Sequence, residues 1–178
     1  MQLWRVADGE PLHTLKGHTG RVNSIAFSSD DGAILASGAS DHTVQIWRVR
    51  YGTLLLTLKG HINQVSSVAF SPNGAVLASG SEDRTVRLWR VADGVLLHTL
   101  EGHRGSVYKV AFSPNGELLA SGSDDKTVRL WRVADGRLLC TLKGHVDRVF
   151  SVAFSPDGTM LVSRSLDGTV RLWRVEAP

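Results

Sequence analysis

A twelve-residue string, Ser121-Gly122-Ser123-Asp124-Asp125-Lys126-Thr127-Val128-Arg129-Leu130-Trp131-Arg132, returns almost unchanged at 37–48, 79–90 and 163–174. Trp47, Trp89, Trp131 and Trp173 stand in register at intervals of 42 residues, and a fifth tryptophan, Trp4, opens the series. Each of the first four tryptophans is followed, at one constant interval, by a Gly-His pair: Gly17-His18, Gly60-His61, Gly102-His103 and Gly144-His145. A period fixed at both ends makes the array, and not the single unit, the folding domain. Units 59–100 and 101–142 agree at 30 of 42 positions, so each unit must adopt the same local structure.

Within a unit the punctuation is that of β-hairpins. Ser-Pro-Asn-Gly at 71–74 and 113–116, Ser-Pro-Asp-Gly at 155–158, and Ala-Asp-Gly at 7–9, 92–94 and 134–136 supply turn chemistry. The first unit has the longer turn 28–32, whose one extra residue explains the single longer interval in the series. Strands are expected at about 11–15, 22–27, 34–37, 43–49 and 53–58. The segment from Val22 carries apolar residues on both parities, as expected of an inner strand buried on both faces. A period of about 42 falls where one repeat forms one four-stranded propeller blade.

With Gly-His and a Trp dipeptide bounding every unit, the whole chain resembles the WD-repeat (WD40) β-propeller family. The expected fold is therefore all-β: a propeller segment of about four blades, each of four antiparallel strands. With the strands of a blade lettered a to d from the axis outward, the expected divisions are a partial blade at 1–16 (strands c and d), repeats at 17–58, 59–100 and 101–142, and a repeat at 143–178 lacking its last strand. One departure is uniform: the family's Trp-Asp is Trp-Arg here, at Trp4-Arg5, Trp47-Arg48, Trp89-Arg90, Trp131-Arg132 and Trp173-Arg174. The resemblance places the structural aspartate elsewhere, in the turn before a threonine. It implies four hydrogen-bonded tetrads: His18, Ser37, Asp41 and Trp47; His61, Ser79, Asp83 and Trp89; His103, Ser121, Asp125 and Trp131; His145, Ser163, Asp167 and Trp173. A buried indole N–H needs an acceptor, a serine hydroxyl accepts it while donating to an imidazole, and the other imidazole nitrogen donates to the carboxylate.

Ser, His and Asp are also the residue types of nucleophilic acyl transfer, but that chemistry needs an exposed, activated hydroxyl and an oxyanion hole. One active site would make one unit unusual, whereas all four units are alike, so no catalytic residue is expected. One histidine per blade sets the imidazoles too far apart to share an ion, and Cys140 has no partner in ligand spacing, so neither a metal nor a cofactor is expected. His13 and His98 read as surface or half-buried fillers of the outer strand, and His42 as solvated. A lone cysteine fits a reducing cytoplasm. No apolar stretch reaches membrane-spanning length, and Met1-Gln2-Leu3-Trp4 lacks the charged head and apolar core of a secretion signal, so export is not expected. The net charge of +3 is spread by the repeat and not gathered, a weak pointer to nucleic acid. Met1 occupies the position of Val44, Val86, Val128 and Val170, which suggests a start within a longer reading frame.

On a uniform scaffold, function is expected where the units disagree. They disagree after Gly-His and just inside the inner strand, which nominates Arg21, Asn23, Gln64, Ser66, Arg104, Tyr108, Lys109, Arg148 and Phe150 as partner-binding residues. Tyr108 and Phe150, beside Arg104, Lys109 and Arg148, form the side-chain mix of interface hot spots. The loop residues Ser40, Glu82, Asp124 and Leu166 vary as well, and Arg164 replaces the Gly38, Gly80 and Gly122 of its siblings. The resemblance implies a non-catalytic scaffold for a protein or peptide; the alternatives are a polyanion binder using the Arg-rich strands and a piece of a larger signalling protein. Family rings have six to eight blades, so closure calls for a homodimer completing eight, a longer chain, or a tight ring of four. The N-terminal outer strand is also placed to complete the last blade.

Overall fold

The computed structural model describes residues 1–29 and 32–175, so Asp30 and Asp31 of the longer first turn, and the tail after Val175, lie outside the described residues. A two-stranded sheet comes first, β1 (Gln2–Trp4) paired with β2 (Pro11–Thr14). Three four-stranded antiparallel sheets follow. The first contains β3 (Val22–Phe27), β4 (Ile34–Ala39), β5 (Val44–Arg48) and β6 (Thr53–Leu58). The second contains β7 (Val65–Phe70), β8 (Val76–Ser81), β9 (Val86–Arg90) and β10 (Leu96–Leu100), and the third β11 (Val107–Phe112), β12 (Leu118–Ser123), β13 (Val128–Arg132) and β14 (Leu138–Leu142). A three-stranded sheet closes the order with β15 (Val149–Phe154), β16 (Met160–Ser165) and β17 (Val170–Arg174). Each sheet is a meander in chain order, one blade of an all-β propeller segment. The only helical turn among the described residues is a 3-10 turn at Val49–Tyr51, where Arg50-Tyr51-Gly52 replaces Ala-Asp-Gly.

The core is built between blades. Val44, Ile46 and Leu58 of the first blade pack on Val65, Val68, Leu77 and Trp89 of the second. Val86, Leu88 and Leu100 then pack on Val107, Val110, Leu119 and Trp131, and Val128 and Leu130 on Val149, Val152 and Leu161. Every blade thus offers an aliphatic face to the blade after it and a tryptophan face to the blade before it. A glycine fixes each contact. A Cβ on Gly38, Gly80 or Gly122 would stand 2.5, 2.8 and 2.9 Å from Cγ1 of Val65, Val107 and Val149 respectively, inside any real contact distance.

Burial of the inner strand departs from the sequence expectation in the first blade. β7 is buried along most of its length, whereas in β3 Ile25 is 56% and Phe27 53% exposed. The cause is the neighbour: the two-stranded sheet before it carries no inner strands, and covers only Leu35, Trp47 and Val49 with Met1, Leu3 and Leu15. At the other end Val170 and Leu172 are 64% and 71% exposed, because no following blade covers β17. Strand β2 pairs with β1 and not with β17, so the N-terminal strand does not complete the fourth blade within this chain.

Candidate functional site

Strands b and c of each blade and the Gly-His loop before it converge on one polar chain. In the third blade Trp131 Nε1 donates to Ser121 Oγ (2.8 Å), Ser121 Oγ lies 2.7 Å from His103 Nε2, and His103 Nδ1 lies 2.8 Å from Asp125 Oδ2. The same bonds join Trp47, Ser37, His18 and Asp41 at 2.8, 2.7 and 2.9 Å. They join Trp89, Ser79, His61 and Asp83 at 2.9, 2.7 and 2.7 Å, and Trp173, Ser163, His145 and Asp167 at 2.8 Å each. An indole that only donates makes the serine the acceptor, so the hydroxyl hydrogen goes to Nε2 and Nδ1–H faces the carboxylate.

A fifth member was not anticipated. Thr43, Thr85, Thr127 and Thr169 each donate hydroxyl and backbone N–H to the second carboxylate oxygen, two residues after the aspartate. The Asp-x-Thr spacing in every unit was the signal for it. The backbone N–H of the residue after each histidine, such as Arg104, completes the set at Oδ2. Burial opposes ionisation of Asp41, Asp83 and Asp125, but the hydrogen bonds from their Thr and His partners outweigh it and hold each carboxyl well below the usual range. For Asp167 the Thr169 hydroxyl is the largest influence, in the same direction. Burial pushes the His103 imidazolium pKa down, against the opposing pull of Asp125.

These groups are anchors chemically. All four serines are at most 1% exposed and bonded on both sides, which leaves no free nucleophile at that oxygen. Among the described residues no group of three or more His, Cys, Asp or Glu is arranged to hold a metal ion. Cys140 packs half-buried in the third interblade core, where burial pushes its thiol pKa up. His13 and His98 lie half-buried beside the next blade's hairpin, with Nε2 at 3.0 Å from Arg50 O and 3.3 Å from Ala134 O. His42 is exposed and adopts a left-handed backbone in its turn.

The residues that differ between units have a different geometry. In all four inner strands the pairing register slips by one residue just after the first valine. The residue left out of each ladder is Asn23, Ser66, Tyr108 or Phe150. A bulge frees its residue from pairing and re-aims the side chain, which explains both the variability and the direction of these four. They meet Arg21, Val22, Gln64 and Glu82 around one depression of about 390 Å³. Arg21 Nε donates to Asn23 Oδ1 (3.0 Å), Asn23 Nδ2 to Val65 O (3.0 Å) and Ser40 Oγ (3.2 Å), Ser40 Oγ to Gln64 Oε1 (2.6 Å), and Gln64 Nε2 to Glu82 Oε2 (3.3 Å). On the far side Tyr108 and Phe150 stack with centroids 4.8 Å apart. Asp124 Oδ1 accepts from Tyr108 (3.3 Å) and from Arg148 Nε (2.7 Å). Burial, then the Asp124 charge, pushes the Tyr108 phenol pKa up.

Two of the nine nominated residues are elsewhere. Lys109 is half-buried opposite Gly122, at the position where Ser24 and Ser67 accept a backbone N–H from the following blade. Arg104 lines a separate groove with Arg129 and Lys143. It is the first residue after Gly-His, whereas Arg21, Gln64 and Arg148 are the third. Conversely Ser40, Glu82 and Asp124, variable in sequence but not nominated, are members of the rim network.

Comparison with known proteins agrees with this architecture. The chain is 49% identical over 43 residues to the periodic tryptophan protein 2 homolog of Schizosaccharomyces pombe, a stretch that is 24% of this chain and 5% of that protein. The family model described as WD domain, G-beta repeat matches residues 9–48, 52–90, 94–132 and 136–174, each match running from an outer strand to the next tryptophan. Proteins of that family are in general interaction scaffolds and typically non-catalytic. With four matches across most of its length and the same polar chain in each blade, this chain belongs to the WD-repeat family.

Proposed function

We propose that the chain is a non-catalytic scaffold that docks a protein or peptide segment on the rim depression formed by the four bulge residues. The observation that carries this reading is the convergence of Asn23, Ser66, Tyr108 and Phe150, one from each of four blades, on a single depression whose lining differs at every blade. The scaffold holds its shape by repetition and leaves these positions free to specify a ligand. A stacked Tyr-Phe pair supplies apolar area, and Arg21, Gln64 and Glu82 supply polar contacts around it. A cytoplasmic setting belongs to this reading, supported by the single unpaired cysteine. The test is selection of peptides against the chain from a random display library, repeated with Tyr108→Ala plus Phe150→Ala. Circular dichroism should be unchanged and the selected peptides should lose binding by at least about tenfold. Undiminished binding would refute the site, and a steep fall of binding with salt would point to the polyanion alternative.

A second reading is self-association. The exposed aliphatic face of β17 and the exposed Ile25 and Phe27 of β3 are the two surface types that pack together at the interfaces within the chain. A second copy is thus the complementary partner for both, in an eight-bladed ring. Arg164 is the obstacle, since it stands where the other blades need glycine.

A further inference from the structure

The groove that holds Arg104 is a separate feature. Arg129 projects from β13 on the same side as Trp131, its guanidinium carbon 5.9 Å from the indole centroid. It lies against the Gly-His loop so closely that a Cβ on Gly102 would collide with Nη1. Its Nε is buried and has no hydrogen-bond partner. Arg104 from that loop and Lys143, just beyond the end of β14, flank it, and with Thr127, Thr141 and Asp125 they line a cavity of about 370 Å³. None of these three cations forms an ion pair among the described residues; the arginines that do are Arg5, Arg90, Arg132 and Arg148. The carboxylate of Asp125 is engaged by His103, Thr127 and the Arg104 backbone N–H.

The second blade shares part of this arrangement: Arg87 also lies against its own indole and Gly-His loop, and its Nε is likewise buried without a hydrogen-bond partner. The corresponding residues are Thr19, Gln45 and Lys59 in the first blade, a single cation, and Ile62, Arg87 and Glu101 in the second, where a carboxylate stands in place of Lys143. What sets the third blade apart is charge: there alone two further cations, Arg104 and Lys143, stand beside that arginine. Like charges brought together repel, and a planar guanidinium with free donors matches the oxygens of a phosphate group. We propose that this groove binds a phosphate dianion, with Arg129 as the central fork and Arg104 and Lys143 closing on the remaining oxygens. The group is either a free phosphate or the phosphate of a phosphorylated side chain on a partner.

The experiment is calorimetric titration of the intact chain with inorganic phosphate, and with a short phosphoserine peptide beside its unphosphorylated form. The variants are Arg129→Gln, Lys143→Glu and Arg104→Thr, each introducing a residue that a sibling blade already carries at that position, with Arg87→Gln in the second blade as control. Saturable phosphate binding that weakens about tenfold or more in each third-blade variant, and is unchanged by Arg87→Gln, is expected. Tighter binding of the phosphopeptide than of free phosphate would assign the source to a protein partner, and the reverse order to a small phosphate; both support the site. Absence of saturable binding, or equal loss with Arg87→Gln, would overturn it. The Tyr108→Ala plus Phe150→Ala variant should bind phosphate normally, which separates this site from the rim.

Discussion

Replacing the tetrad serine by alanine should cost more in the third blade, where the indole is buried, than in the fourth. Ser121 is fully buried and bridges Trp131 Nε1 and His103 Nε2; Trp131 is 1% and His103 6% exposed. Ser121→Ala strands the indole donor and the imidazole acceptor together, with no water able to reach either. At roughly 1–3 kcal/mol for each unsatisfied buried group, with the pair sharing one oxygen, the loss should be about 2–4 kcal/mol. Ser163→Ala cuts the equivalent bonds in the fourth blade, but there Trp173 is only half-buried. Its N–H can recover a water, so the loss should be about 1–2 kcal/mol. Repeat arrays open blade by blade, so urea unfolding should be combined with native-state hydrogen exchange, which reports each blade separately. Equal losses for the two variants, or a loss at Ser121 below about 0.5 kcal/mol with unchanged exchange in β12 and β13, would refute the assignment of energy to dry, bridging serines.

The tetrads also predict the acid limb of the stability curve. His103 has its pKa lowered by folding, so below about pH 6.5 the unfolded chain takes up a proton that the folded chain refuses, and stability falls with falling pH. Asp41, Asp83 and Asp125 have theirs lowered too, so their contribution is complete at neutral pH and is lost as pH falls through about 4 and below; urea midpoints measured from pH 7 to 3 should decline over both ranges, and a flat profile would contradict this. Gly122→Ala places a methyl 2.9 Å from Val149 Cγ1 and 3.1 Å from its carbonyl oxygen, and should cost about 1–3 kcal/mol by urea titration, whereas stability within error of the parent would mean that the blades slide apart freely. Arg164→Gly, which restores the glycine of the other blades, should shift light-scattering mass toward a dimer, and an unchanged mass would remove Arg164 as the block to self-association.

Much of the fold was legible because it is redundant. Trp, Ser, His and Asp recur at fixed offsets, so four copies identify a network that one copy would leave ambiguous. Thr127 and its equivalents are legible only as turn residues, since Asp-x-Thr is a turn signature and the sequence does not show that the threonine hydroxyl bonds the tetrad carboxylate. The exposure of β3 was not legible at all: Val22, Ile25 and Phe27 look like any inner strand, and their burial is decided by strands that precede them in space. The bulges were hidden for a related reason. An apolar residue at Val22 and Val65 followed by a variable one reads as ordinary alternation, and only the pairing register shows that Asn23 and Ser66 stand outside the ladder. Arg104 is separated from Arg21 and Gln64 because residues close in number after Gly-His point to different sides of the loop, the first to the groove of its own blade and the third to the rim.

Arg164 and Leu166 of the fourth unit fall on one face, which favours specialisation of that face over decay of the unit. A unit drifting without constraint should lose its tetrad as readily as any surface residue, yet His145, Ser163, Asp167, Trp173 and Thr169 keep the same bonds as their siblings. Two of its departures, Arg164 and Leu166, correspond to Gly38, Gly80 and Gly122, which seat the next blade's valine, and to Ser40, Glu82 and Asp124, of which Ser40 and Asp124 bond to the next blade's Gln64 and Arg148. Both changes therefore alter how a following blade is received and neither touches how this blade holds itself together. A blade of the common type cannot approach Arg164 as Val149 approaches Gly122, so whatever packs on β16 and β17 must offer a different surface, or Arg164 must turn away. The first three interfaces follow one rule, and the fourth is altered at the positions that enforce it.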